Sequence, residues 1–301
     1  MRNLLGLRDL CRTEIEEILT EGMRQYENVL TGNYTAEIKG RTMATLFYEP
    51  GSETRESFEV AAKNMGMRVI SVETSINSVS RGGSLTDMIK TLESMGTDYI
   101  VLRHPMTGAA HLAAGFCRAS VINGGDGINE NPIRALLDML TMDREKGRIA
   151  GLKVAIVGDI LHSRVVRSDI FGLTKLGACV NVSGPPAMIP AGIDSLGVRV
   201  CGSVEEALRE ADVIMELKAR PDREYSKEYC ITRKRAGLAR PGVLIMRLGT
   251  PIRGVEGYDI ASSSASVIQK QVGMGVAVSM AVFKCLNKEN NEYSYKNRLY
   301  C

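Results

Sequence analysis

The chain has 301 residues, of which 44% are hydrophobic and 24% are charged, and its formal net charge is only +3. This composition is typical of a soluble globular protein, and the length allows two domains of ordinary size. No basic block interleaved with aromatic residues indicates nucleic acid, and no apolar run approaches the ~20 residues of a membrane span. The three scattered histidines predict no metal site.

The cysteines and the N-terminus indicate the compartment. Seven cysteines, an odd number without CxxC spacing, predict unpaired thiols in a reducing environment. The first residues, MRNLLGLRDLCRTEIEEIL, become charged too early for a signal peptide. A cytoplasmic location is therefore expected, with no membrane partner.

Short apolar runs alternate with amphipathic segments along the whole chain. Helical segments such as TRESFEVAAKNMG and SRVVRSDIFGLTKLG end at glycine, as helix C-termini commonly do. The alternation predicts an α/β fold of mainly parallel sheets flanked by helices. The predicted strands are 42–48, 67–73, 98–104, 120–125, 152–159, 179–185, 198–202, 212–218 and 243–249.

Two sheets are expected rather than one sheet of nine strands. The best candidate for the domain boundary is the segment 132–147, a predicted helix that is followed by the polar turn RIAG. The last helix, roughly 264–287, is expected to cross back, so we predict a first domain of 1–138 plus 275–301 and a second of 139–274. The polar tail that follows this helix is expected to be frayed.

The loops after the strands carry the most specific signal, because ligands bind outside the carboxyl ends of strands in open α/β sheets. VLRHPMTGAAHLAA resembles the RHP segment of the aspartate/ornithine carbamoyltransferase family, and INGGDGINENPIRALLDMLT resembles its GDGxxxHPTQxLLDL segment. GLKVAIVGDILHSRVVRS continues the match. The order of these motifs resembles the aspartate branch more closely than the ornithine branch.

The resemblance implies two α/β domains with the active site in the cleft between them, and neither metal nor cofactor. It also implies homotrimers, in which a loop of the neighbouring subunit, here residues 78–83, completes each site. The family reaction is attack of an amino acid's amine on carbamoyl phosphate, with expulsion of phosphate. A nicotinamide dehydrogenase is disfavoured, because the loop after LKVAIVGD lacks GxGxxG.

The phosphate loop of the family reads STRTR, and residues 51–55 here read GSETR. Ser52 and Arg55 keep polar side chains, whereas Glu53 replaces the central Arg. Opposite unit charges ~4 Å apart interact by roughly 4 kcal/mol at an effective dielectric near 20. The exchange therefore predicts phosphate affinity weakened at least ~1000-fold. Arg81 aligns with the Lys that the family takes from the neighbouring subunit, and Glu53 is expected to pair with Arg81 or Arg134.

The resemblance assigns Thr54 and Arg103 to the carbonyl oxygen of the donor. Residues 131–134 read NPIR where the family has HPTQ. Asn131 can donate a hydrogen bond but cannot carry a proton charge. Arg134 offers only donors where Gln offers an acceptor, so it favours an anionic or carbonyl group, unless it is simply a solvated helix residue.

On the side of the amino acid, the resemblance assigns the α-carboxylate to Arg164. Lys218 and Arg220 stand where the aspartate branch has an RxQ pattern, at the start of a shortened loop. Arg247 and Leu248 stand in the turn that corresponds to HPxP, whose carbonyls orient the amine.

Most of the replacements are polar or charged, which favours an altered site over a decayed one. We predict a family transferase that condenses an amino-acid-like amine with a carbamoyl or related acyl donor, with Glu53 receiving a cationic group or acting as a general base. Two alternatives stay open. One is a catalytically silent homologue that acts as a binding or assembly partner, and the other is an ordinary aspartate carbamoyltransferase.

Overall fold

The computed structural model describes residues 1–49, 53–73, 84–217, 228–248 and 265–299. Within these ranges the side chains of 73, 247–248, 265–270 and 289–299 are not described. The first domain contains a parallel sheet of four strands in the order β2-β1-β3-β4. Its strands are β1 (Thr42–Phe47), β2 (Arg68–Glu73), β3 (Tyr99–His104) and β4 (Ser120–Asp126), and its helices are α1 (Arg12–Thr31), α2 (Glu53–Asn64), α3 (Leu85–Ser94) and α4 (Ala109–Ala114).

Helix α5 (Pro132–Lys146) leads into the second domain, whose five parallel strands have the order β7-β6-β5-β8-β9. Two short 3-10 helices, Pro186–Met188 and Ile193–Leu196, join β6 to β7. The strands are β5 (Lys153–Val157), β6 (Cys179–Ser183), β7 (Arg199–Val200), β8 (Val213–Leu217) and β9 (Leu244–Leu248), and the helices are α6 (Arg164–Lys175), α7 (Val204–Leu208) and α8 (Arg233–Ala236).

All nine predicted strands are present, and the α/β class and the two sheets are confirmed. Strands such as β1 and β4 are buried along their whole length. Burial along the whole strand is characteristic of parallel sheets that are covered on both faces. Several strands are shorter than predicted, because the predicted ranges included the first residues of the following loops, such as Gly158 and Asp159 after β5. Helix α1 was not predicted from the sequence.

The last helix, α9 (Ala265–Leu299), packs on the first domain, as predicted. The ring of Phe283 meets those of Phe58 in α2 and Tyr99 in β3 edge-to-face, each with centroids 5.4 Å apart. The predicted end near residue 287 is wrong, since the helix continues to Leu299. The residues after 287 include neither Gly nor Pro, the two residues that most strongly oppose a helix.

Helix α6 docks the second domain onto the first. Arg164, Ser168, Gly172 and Lys175 recur at intervals of four, four and three residues, so they lie on one face of the helix. An added Cβ at Gly172 would lie 2.5 Å from the terminal methyl of Met139 in α5, so a larger residue there would require the Met139 side chain to move. The predicted boundary between residues 138 and 139 falls inside α5, and the division of the chain stays a prediction.

The N-terminal segment ties both domains together. Lys175 at the end of α6 donates through Nζ to the backbone carbonyls of Leu7, Arg8 and Leu10 at 2.6 to 2.7 Å. On the other side of this segment, the Glu130 carboxylate accepts the Leu7 N–H at 2.7 Å. One acid of the first domain and one base of the second therefore hold the same loop.

Replacing Lys175 with Met is expected to lower the free energy of unfolding by about 2 to 3 kcal/mol, because hydrogen bonds to a charged group are lost while the alkyl stem is kept. Chemical denaturation followed by circular dichroism measures this loss. Lys153→Met is the matched control, because Lys153 Nζ pairs with the exposed Glu210 at 2.6 Å. The control should lose less than about 1 kcal/mol. Equal losses in the two variants would contradict a stabilising role of the hydrogen bonds from Lys175 to the N-terminal segment.

Candidate active site

The carboxyl ends of both sheets meet at a cleft, where three charged residues converge. Glu49 follows β1, Arg103 lies near the end of β3, and Arg164 begins α6 directly after the loop that follows β5. Parallel strands place their carboxyl ends on one edge, which is why residues distant in sequence come together here. Arg103 and Arg164 are two of the residues predicted for this site.

Glu49 bridges the two arginines and thereby the two domains. Its Oε2 accepts from Arg103 Nε at 2.6 Å and from Arg164 Nη2 at 2.9 Å, and its Oε1 accepts from Arg164 Nη1 at 3.3 Å. The Glu49 side chain is 28% exposed, and those of Arg103 and Arg164 are 19% and 15% exposed. The site is therefore largely shielded from water, where such contacts are stronger than on the surface.

The pKa values of this group follow from its burial and its charges. Burial by itself raises the pKa of Glu49, but the hydrogen bonds and charges of Arg164 and Arg103 outweigh it and lower the pKa to about 2. Burial and the charge of Arg164 lower the pKa of Arg103. The two guanidinium groups thus repel each other, and Glu49 is the anion that allows them to stand together.

The loop after β4 lies against the Arg164 side chain. Gly125 has φ +120°, and a Cβ built there would lie 3.0 Å from Arg164 Nε. Arg164 Nη1 also reaches the Gly127 carbonyl at 3.5 Å. Asp126, fully buried, holds the loop by accepting the Gly108 N–H at 2.7 Å. The GGDG stretch therefore supplies backbone that a guanidinium can approach closely.

Three predicted residues lie in the first turn of α2, at the rim of the cleft. Glu53 is exposed, whereas Thr54 and Arg55 are half-buried. The predicted site residues Ser52 and Arg81 fall outside the described residues. An acid at this position complements the positive end of the helix dipole, as the sequence indicated.

Asn131 and Arg134 occupy the start of α5. The Asn131 side chain caps the helix by accepting the Arg134 N–H at 3.3 Å, and its backbone N–H donates to Ser168 Oγ at 2.9 Å. Arg134 Nε donates to Asp138 Oδ2 at 3.3 Å. The predicted pairing of Glu53 with Arg134 is therefore wrong within the described residues: Glu53 acts on Arg134 only as a more distant charge, because the guanidinium is held by Asp138.

The remaining predicted residues belong to the second domain. Lys218 and Arg220 fall outside the described residues. Arg247 and Leu248 end β9, at the carboxyl edge of the second sheet, and their side chains are not described. Their roles stay predictions.

Several residues of the site were not predicted. Glu49 stands two residues before the GSETR loop, and the signal that could have identified it is the excess of arginines assigned to the cleft, which requires a carboxylate to face them. Glu130 is another, since its Oε2 accepts from Ser168 Oγ at 2.9 Å and so joins the start of α5 to α6. Asp138 and Asp169 lie inside helices, where no local pattern distinguishes them from surface acids.

In the described part of the chain, no group of three or more His, Cys, Asp or Glu is arranged to hold a metal ion. No helix among the same residues is both long and apolar enough to cross a membrane.

The fold and the cleft define a two-domain α/β protein whose parallel sheets face an arginine-lined site. Residues 2–144 match the carbamoyl-P binding domain of the aspartate/ornithine carbamoyltransferases, and residues 150–286 match the Asp/Orn binding domain. The chain belongs to the aspartate/ornithine carbamoyltransferase family and is an enzyme of that family.

Individual relatives are similar over nearly their whole length. The aspartate carbamoyltransferase catalytic subunit of Caldanaerobacter subterraneus subsp. tengcongensis is 45% identical over 96% of this chain and 99% of its own. The catalytic subunit of M. jannaschii aspartate transcarbamoylase has a TM-score of 0.83 at 32% identity, covering 97% of this chain and 99% of its own. Ornithine carbamoyltransferase from Pyrococcus furiosus has a TM-score of 0.85 at 27% identity, with 95% and 96% covered.

Proposed function

We propose that this protein is an aspartate carbamoyltransferase, which moves the carbamoyl group of carbamoyl phosphate to the α-amine of aspartate. The observation that carries the proposal is the pair of guanidinium groups, Arg103 and Arg164, held across the cleft by Glu49. The relatives named as aspartate carbamoyltransferase catalytic subunits support the same choice of donor and acceptor.

Each arginine has a chemical task in this reaction. The amine nitrogen attacks the carbonyl carbon and loses a proton, a C–N bond forms, and the bond from that carbon to the phosphate oxygen breaks. In this proposal, Arg103 and Thr54 stabilise the oxyanion that develops on the carbonyl oxygen. Arg164 binds a carboxylate of the acceptor, which must share its Nη atoms with Glu49 or displace Glu49.

Asn131 can stabilise the carbonyl oxygen of the donor, but less strongly than a histidine would. Its amide oxygen accepts the Arg134 N–H, so its NH2 group is the part that can donate to the carbonyl. A neutral amide stabilises a developing negative charge less than a charged donor does. We therefore expect slow turnover rather than loss of the reaction.

A second candidate is a transferase of the same family with a changed donor. Two observations favour it: Glu53 is exposed in the first turn of α2, and Arg134 donates through Nε to Asp138. In this alternative the acceptor is still held by Arg164, and the leaving group of the donor is not phosphate.

The deciding experiment incubates the purified protein with carbamoyl phosphate and aspartate and quantifies carbamoyl aspartate by mass spectrometry. Calorimetric titrations with each substrate accompany it. Product formation with saturable binding of both substrates supports the first candidate. Binding of aspartate without binding of carbamoyl phosphate supports the second, and failure of both substrates to bind contradicts both candidates.

The assembly follows from the same proposal. We propose a homotrimer in the cytoplasm, in which residues 78–83 of a neighbouring subunit complete each cleft, and Arg81 supplies a cation opposite Glu53. Sedimentation velocity tests this, since a monomer at micromolar concentration would contradict it.

A further inference from the structure

Helices α5 and α6 enclose a small group of charges that the proposed reaction does not use. Asp138 in α5 and Asp169 in α6 are both fully buried. Arg134, one turn before Asp138 and 22% exposed, donates through Nε to Asp138 Oδ2 at 3.3 Å. Two carboxyl groups of neighbouring helices therefore depend on one guanidinium group.

Most of the carboxyl oxygens in this group have no hydrogen-bond partner. Within the described residues this holds for Asp138 Oδ1 and for both oxygens of Asp169. A buried carboxylate is costly unless it is paired or hydrogen-bonded, and two nearby carboxylates oppose each other's ionisation. One positive charge can balance only one of them.

The surroundings determine which carboxyl keeps its proton. Burial, and then the charge of Asp138, raise the pKa of Asp169 well above its ordinary value. Burial also raises the pKa of Asp138, although the charge and hydrogen bond of Arg134 oppose that effect. From α2, Glu53 acts on Arg134 at longer range. Arg134 therefore opposes the effect of burial mainly at Asp138, and Asp169 is the carboxyl whose pKa is raised more strongly.

We propose that Arg134 is a positioning residue, held as the counter-ion of a buried Asp138–Asp169 pair that carries one proton, and that this proton links the packing of α5 against α6 to pH. This proposal is independent of the reaction and of its substrates. It accounts for the ion pair that Arg134 makes with the buried Asp138.

The sign of the pH dependence follows from linkage. The carboxyl of Asp169 binds its proton more tightly in the folded chain than in the unfolded chain, where its pKa is near 3.8. Its contribution to stability is therefore complete below about pH 4 and is lost progressively as the pH rises toward the ionisation of Asp169 in the folded protein. An amide at position 169 does not titrate, and its NH2 group can donate to Asp138.

The experiment compares the melting temperatures of the full chain, Asp169→Asn, Arg134→Gln and the double variant between pH 5 and pH 9. The melting temperature of Asp169→Asn relative to the parent should rise by at least about 3 °C across this range. Arg134→Gln should be less stable than the parent, and Asp169→Asn should recover more than half of that loss. If Arg134→Gln does not fold and the double variant does, Asp169→Asn has also recovered the stability that Arg134→Gln lost.

Asp87→Asn is the control, because Asp87 is exposed in the first turn of α3. Its melting temperature should follow that of the parent at every pH. The proposal is overturned if Asp169→Asn and the parent have parallel pH profiles. It is also overturned if the losses in the two single variants add in the double variant.

Discussion

Glu49→Gln is expected to lower kcat/KM for carbamoyl transfer at least about 100-fold, a loss comparable to that of one oriented group in an oxyanion site. The amide carries no charge and has an NH2 donor in place of one acceptor oxygen, so Arg103 and Arg164 lose the anion that holds them together. Their repulsion then displaces both groups from the geometry that the reaction needs. Steady-state kinetics with carbamoyl phosphate and aspartate measures this effect.

The same substitution should lower the free energy of unfolding, and this arm of the experiment does not depend on the reaction. The pKa of Glu49 lies at about 2 against an ordinary 4.5, which corresponds to about 3 kcal/mol. Because the folded pKa is depressed, this contribution is present above about pH 4.5 and is lost as the pH falls toward 2. Denaturant titrations at pH 7 and pH 3 should show a smaller difference between parent and variant at pH 3.

The matched control is Glu16→Gln. Glu16 accepts from Arg12 Nε at 2.7 Å, but the two side chains are 45% and 57% exposed. A surface pair of this kind should contribute less than about 1 kcal/mol, and activity should be unchanged. If Glu49→Gln were as stable as this control, Glu49 would not be the anion that holds the cleft together.

Glu53→Arg is expected to strengthen the binding of inorganic phosphate at least about 100-fold. The substitution exchanges a repulsion for an attraction at the start of α2, where the helix dipole already favours an anion. The gain should fall short of the ~1000-fold first expected, because the charge of Arg134 acts at this position and opposes a second cation. Isothermal calorimetry with phosphate measures the dissociation constants.

Glu56→Arg controls for the change in net charge, because Glu56 lies in the same first turn and is also exposed. Its effect on the phosphate constant should be less than about tenfold. Glu53→Arg alone should not give rapid carbamoyl aspartate formation, since Asn131 still lacks a charge. Equal gains from the two substitutions would indicate general electrostatics rather than a phosphate cradle.

The two substitutions test two parts of the proposed reaction. In that proposal, Glu49 organises the arginines that stabilise the oxyanion and hold the acceptor, and Glu53 acts on the leaving group of the donor. A large gain from Glu53→Arg would indicate that Glu53 weakens the phosphate site, and it would favour a changed donor. A small gain would indicate that Glu53 does not impair that site, and it would favour carbamoyl phosphate.

Local sequence was sufficient for the framework. Apolar runs of the right length predicted β1 to β9, and glycines marked the ends of α2 and α6, because strand burial and helix termination depend on neighbouring residues. The same information placed Arg103, Asn131 and Arg164 at the carboxyl ends of strands or directly after them. Helix α9 illustrates the limit of that approach, since composition indicated a frayed tail where the helix continues to Leu299.

The sequence by itself thus determined the fold class, the family and the elements that carry the site. Only the tertiary structure decided which charges from distant parts of the chain meet: Glu49 with two arginines, and Lys175 with the N-terminal loop. The physical reason is that hydrophobic periodicity is a local property, whereas the partner of a charge is chosen by elements that are distant in the chain. Burial then makes that choice energetically important, because a shielded charge without its partner is costly.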